Sequence, residues 1–135
     1  MSVHKKRLKL ITLSIGSNSL ECQVNSWKLD PGVKDGDRKY TFCPDGEFVE
    51  ETDAEASLEL KLFSDWRSAG FSTFLWNNPN TEATFVLDHH PDDPDSHVRF
   101  SGKVLIQPAP VGGDARETEM TEVTLQAFNV EFEEV

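Results

Sequence analysis

Apolar and polar residues alternate most cleanly from Ala54 to Phe63, where Ala54, Ala56, Leu58, Leu60 and Leu62 are interleaved with Glu55, Ser57, Glu59 and Lys61. Period-two alternation of this kind predicts a strand with one face buried and the other wet. Similar patterns run from Glu82 to Asp88 through Ala83, Phe85 and Leu87, and from His97 to Ile106 through Val98, Phe100, Val104 and Ile106, with Gly102 marking a bulge or close approach. The final stretch, Thr118 to Phe132, is long, and its inward set changes from Val123, Leu125 and Ala127 to Phe128, Val130 and Phe132. A change of parity requires a bulge or sharp bend near Ala127.

At the other end, Leu8 to Ile15 reads as a strand that stops at Gly16-Ser17-Asn18-Ser19. A hairpin is the expected consequence, with a second arm from Leu20 to Leu29 that turns Leu20, Cys22 and Val24 inward and is bulged near Ser26. Ser64-Asp65 is the expected cap of a short helix beginning at Trp66 and ended by Asn77-Asn78-Pro79. Residues 30–53, punctuated by Pro31, Gly32, Gly36, Pro44 and Gly46, read as a long charged loop that carries Tyr40, Phe42 and Phe48. The sum predicts one mainly β domain over residues 1–135, an antiparallel β-sandwich or partial barrel with one short α-helix.

Charge changes this picture by its distribution. The chain carries a formal net charge of -11, yet residues 1–9 form a basic arm, so the remainder has 9 basic against 24 acidic residues, or -15. So acidic a body repels phosphate backbones, which argues against sequence-specific nucleic-acid binding. Cys22 and Cys43 are expected as free thiols of a protein made in a reducing cytoplasm. There is no run of about eighteen apolar residues of the kind that crosses a membrane.

Catalytic chemistry is poorly represented. No nucleophile elbow, glycine-rich phosphate cradle or paired-cysteine motif occurs, and with 24 acids adjacent carboxylates arise by chance. His89, His90, His97, Asp92, Asp93 and Asp95 could ligate a metal by type, but their spacing matches no standard site, and Pro91 and Pro94 suit an ordinary hairpin loop. The expectation is therefore no enzyme, no cofactor and no metal. Trp27, Trp66 and Trp76 read as core residues rather than a sugar-stacking platform.

The order of motifs is distinctive: a hairpin with Cys22 and Trp27, a long polar loop, Ala56-Ser57-Leu58-Glu59-Leu60 running into Phe63-Ser64-Asp65-Trp66, then Gly70-Phe71-Ser72-Thr73-Phe74-Leu75-Trp76. Ala83-Thr84-Phe85-Val86-Leu87, Phe100-Ser101-Gly102-Lys103-Val104 and Pro108-Ala109-Pro110-Val111-Gly112-Gly113 follow. From Leu10 to Phe132 this order resembles the major tail tube proteins of phages with long flexible tails (siphovirus-type) that infect actinobacteria.

The resemblance implies a virion subunit that closes into hexameric rings, which stack into a tube around a tape-measure protein. Such a tube is bounded by tail terminator and distal tail proteins and lets DNA pass without specific binding. On that reading Glu21, Glu55, Glu59 and Glu122, on the wet strand faces, line the lumen. Lys34, Arg38, Lys39, Tyr40, Phe42 and Phe48 make contacts between subunits or rings, and Lys5, Lys6 and Arg7 form an arm contact with a neighbour. The loop is expected to be poorly ordered in a free subunit and to order on docking. The alternative is a secreted or surface β-sandwich module that binds carbohydrate or another ligand.

Overall fold

The computed structural model describes residues 2–135; Met1, the first residue of the basic arm, lies outside the described residues. The strands, in chain order, are β1 (Ile11–Ile15), β2 (Asn18–Ser19), β3 (Val24–Asp30), β4 (Arg38–Tyr40), β5 (Glu47–Val49) and β6 (Ser57–Phe63). Then come the helix α1 (Phe71–Asn77) and strands β7 (Thr81–His89), β8 (Val98–Ile106) and β9 (Met120–Glu134). Seven strands form one antiparallel sheet in the order β2-β1-β7-β8-β9-β6-β3, and β4 and β5 form a separate two-stranded ribbon.

Connectivity forces that sheet to curl. Strands β2 and β3 are its opposite edges, yet only Leu20 to Gln23 join them. A flat sheet would hold the two edges about 29 Å apart at ~4.8 Å per step. The five residue steps from Ser19 to Val24 span at most about 18 Å. The sheet is accordingly rolled into a half-barrel around a single core, to which Leu13 and Ile15 (β1), Leu58 and Leu62 (β6), Phe85 and Leu87 (β7), Val104 and Ile106 (β8) and Leu125 (β9) contribute fully buried side chains.

Strand β9 makes the roll. Its first half pairs with β6, from Met120 opposite Phe63 to Gln126 opposite Ser57, and its second half pairs with β8. Between Lys103–Phe128 and Ser101–Glu131 the register slips by one residue. Asn129 takes a left-handed conformation there (φ 55°), two residues beyond the expected parity change at Ala127. Gly102 faces this bulge in close quarters: a Cβ would sit 3.0 Å from the carbonyl oxygens of both Phe128 and Asn129 and 3.1 Å from the Phe85 ring, so any side chain there would force its neighbours to shift. A second slip, between Val24 and Ser26, accommodates the extra residue expected in β3.

Four sequence expectations are corrected. The hairpin from β1 does not return along β3: Leu20 accepts backbone hydrogen bonds from Gln23 and Val24, so the chain turns at once and β3 pairs with β6. Cys22, expected inward, is exposed on that turn. The helix starts at Phe71 and not at Trp66, because the Asp65 carboxylate binds the backbone N–H and guanidinium of Arg67 and makes a tight turn of its own. Lastly, the segment expected as a long loop contains a two-stranded ribbon in which Arg38, Lys39 and Tyr40 pair with Val49, Phe48 and Glu47.

One end of the barrel is sealed by α1, which buries Phe71 and Leu75. Its buried Ser72 hydroxyl is satisfied through Thr121 at 3.1 Å, and Thr121 in turn meets Ser64 at 2.7 Å.

Candidate assembly surfaces

Antiparallel strands with one buried face leave the other to solvent, and on β3, β6 and β9 the wet face brings Lys28, Glu59, Lys61, Glu122 and Thr124 together in a shallow groove of about 670 Å³ under Pro110. Glu59 lies between Lys28 on one neighbour strand and Thr124 on the other, and the Lys61 ammonium is 3.6 Å from the Glu122 carboxylate. Two of the four expected lumen acids, Glu59 and Glu122, therefore share one face. The other two do not. Glu21 lies on the turn after Leu20 and accepts the backbone N–H of Leu13 at 3.3 Å, and Glu55 precedes β6 and pairs with Lys34 at 2.9 Å. With Lys28 and Lys61 beside Glu59 and Glu122, this face is electrically mixed and not acidic.

The ribbon is a second surface. Tyr40, Phe42, Phe48 and Val49 are exposed by 70%, 110%, 54% and 53%, an unusual density of apolar rings in water. Arg38 bonds Glu47 across the ribbon, whereas Lys39 stands opposite Phe48 with no carboxylate partner among the described residues. Of the basic arm, Lys6 reaches Asp92 and Asp93 of its own chain at 3.7 and 3.5 Å, so the contact expected with a neighbour is made internally at that residue. Lys5 and Arg7 are exposed.

At the barrel end opposite α1, the inner face of β8 and β9 runs on past the core. Phe132 and Val130, expected to be buried, are 59% and 37% exposed and line an open apolar groove of about 520 Å³ with Phe100, Phe128, Leu29 and Ala56. No alternation rule distinguishes an inward residue that has a lid from one that has none, which is why sequence missed this surface.

The histidines divide between two environments. His97 and Arg99 both bond the Asp88 carboxylate, at 3.2 and 2.7 Å, on the outer face. Burial works against the Asp88 charge, but the bonds from Arg99, Thr12 and His97 outweigh it and hold the pKa below the ordinary value. His89 points inward with its ring edge-on to Trp27 at 5.4 Å and tilted against His90 at 4.0 Å. Burial, and secondarily the His90 charge, push the His89 pKa below 6.5. Among the described residues no three His, Cys, Asp or Glu side chains are grouped to hold a metal ion.

A pH dependence follows. A histidine whose folded pKa is depressed takes up a proton more readily when unfolded, so its contribution is intact above about 6.5 and is lost as pH falls below it. Unfolding free energy should drop between pH 7 and 5 with a slope of at most about 1.4 kcal/mol per pH unit for one proton. Urea titrations of His89→Phe should show a flatter slope; an unchanged slope would assign the effect elsewhere.

Two of the three tryptophans depart from the core reading. Trp66 and Trp76 are 43% and 49% exposed, and the Trp66 indole donates to both Glu119 carboxylate oxygens at 2.9 and 3.0 Å. Trp27 packs against the core partly buried.

No family model matches the chain, and no curated protein matches it. Solved structures do. A chain of the sheath/tube terminator of an extracellular contractile injection system, PVC, in its extended state superposes with a TM-score of 0.69 at 12% identity, over 98% of this chain and 99% of that one. A chain of the PVC sheath-tube complex in the extended state superposes with a TM-score of 0.59 at 15% identity, over 93% and 88%. At such identities the likeness is one of fold, and it extends over nearly the whole of each chain.

Proposed function

We propose that this chain is a structural subunit of a tail tube, polymerising as stacked hexameric rings, and not an enzyme. The observation that carries the reading is the end-to-end likeness to chains of sheath and tube assemblies, in which neither partner has a large part left over. The fold gives it physical sense. A half-barrel with free edges at β2 and β3 has unpaired backbone groups, and ring closure covers such edges. The narrower assignment is the major tube protein of a siphovirus-type phage of actinobacteria. Its partners would be further copies of itself, a tape-measure protein, and terminator and distal tail proteins, and the completed virion tail would conduct DNA.

Within that tube, the wet face of β3, β6 and β9 lines the lumen through Glu59 and Glu122. With Lys28 and Lys61 interspersed, it offers a passing polyanion neither a continuous cationic track nor a strongly repelling one. Negative-stain microscopy of the purified chain, followed by helical reconstruction, tests both statements. Rings or tubes of even width are expected, with Glu59 and Glu122 on the inner wall; small monodisperse particles at all concentrations would reject the assembly, and an outer-wall location would reassign the face. Trp27 is packed inward and Trp66 is already bonded to Glu119, so Trp76 is left as a lone exposed indole and the three tryptophans form no shared stacking platform for the carbohydrate-module alternative.

A further inference from the structure

Two unpartnered apolar surfaces of the same chain meet at residues 31 and 54. Pro31 and Ala54 form one lip of the groove that contains Phe100, Val130 and Phe132, and they are also where the ribbon segment leaves the barrel and returns to it. The ribbon strands pair only with each other, so its tip, with Phe42 wholly exposed, is carried away from the groove at its own root.

Reach fixes where the tip can go. The eleven steps from Pro31 to Phe42 extend at most about 40 Å. A domain of 135 residues has a radius of gyration of about 14 Å, hence a diameter near ~35 Å. That reach is enough to carry the tip to an adjacent copy, which presents a groove of its own. Charge agrees: Lys39 lies beside Phe48 on one ribbon face, and Glu134 follows Phe132 on the groove face of β9, opposite Val98.

We infer that the groove of one copy receives the ribbon tip of the next, with Phe42 packing onto the exposed side of the Phe100–Phe132 pair, whose rings already touch with centroids 5.5 Å apart, and Lys39 meeting Glu134. This rests on the tube reading and names the contact that builds it. It is a head-to-tail contact that uses different surfaces on the two copies, so it repeats around a ring and does not stop at a dimer.

Cys43 follows Phe42 and is a free, exposed thiol, which makes the contact directly testable. In a Cys22→Ser background, Val130→Cys puts a second thiol in the groove. After far-UV circular dichroism shows the variant folded, assembled material is treated with a mild two-electron oxidant and run on non-reducing gels. A ladder of covalent multimers is expected, because each copy is linked at its ribbon to one neighbour and at its groove to another. The ladder should vanish when Phe42→Asp is added. Tubes that form normally but yield only monomer, or only a dimer from like-to-like thiol pairing, would overturn the inference and leave the tube reading standing. Folded protein that never assembles at any concentration would overturn both.

Discussion

Phe85→Ala is expected to lower the unfolding free energy by about 3–5 kcal/mol, the range for emptying a large aromatic from a sealed core. Phe85 has no exposed surface, sits in the centre of the sheet between Ile15 and Gly102, and covers the one β8 position that has no side chain of its own. Removing the ring therefore opens a void over Gly102, beneath the β9 bulge. Urea unfolding monitored by tryptophan fluorescence would read the loss as a lower midpoint at an unchanged slope. A loss below about 1 kcal/mol would mean that the barrel collapses onto the site and that its curvature is not fixed by the packing of Phe85 on Gly102.

The strands around that ring were legible because both their faces are decided locally. Leu58, Leu60 and Leu62 are buried and Glu59 and Lys61 exposed, as alternation requires, and the same holds for Phe85 and Leu87 on β7. The parity change in β9 was visible as well, since an inward set cannot switch phase without an extra residue. What alternation cannot specify is the partner. Leu20, Cys22 and Val24 have the right spacing for a second hairpin arm, yet two backbone hydrogen bonds to the Leu20 carbonyl turn the chain there, and β3 finds its partner in β6, from 27 residues on (Asp30 with Ser57) to 38 (Val24 with Leu62).

The same limit explains the candidate site. Glu21 and Glu55 fit the pattern of wet strand positions but fall just outside the strands, where side-chain partners, the Leu13 N–H and Lys34, decide their direction. Glu59 and Glu122 lie inside strands, on the exposed face that alternation gives them. The ribbon was seen only as a loop, because strands of three residues give too short a pattern to detect.

Deleting Lys34 to Glu50 should leave a folded subunit that no longer builds tubes. The ribbon can be removed cleanly because its root closes on itself: Glu55 donates its backbone N–H to the Gly32 carbonyl at 3.3 Å, and the Gly32 Cα packs so tightly on the Glu55 backbone that a Cβ would overlap the carbonyl oxygen. Neither β4 nor β5 pairs with the seven-stranded sheet, so that sheet keeps all its ladders and should melt cooperatively near the temperature of the full chain. Assembly is a different matter. Tyr40, Phe42 and Phe48 each contribute roughly 1.5 to 3 kcal/mol when buried, and a ring repeats that contribution at every contact, so losing all three removes far more than a marginal interface can spare. Analytical ultracentrifugation should find monomer where the full chain sediments as rings or tubes. Tubes of normal stability from the deleted chain would make the ribbon an ornament, and the contact would then have to be sought at Lys5 and Arg7 of the arm or in the loop from Pro108 to Glu117, which is exposed from Pro110 on.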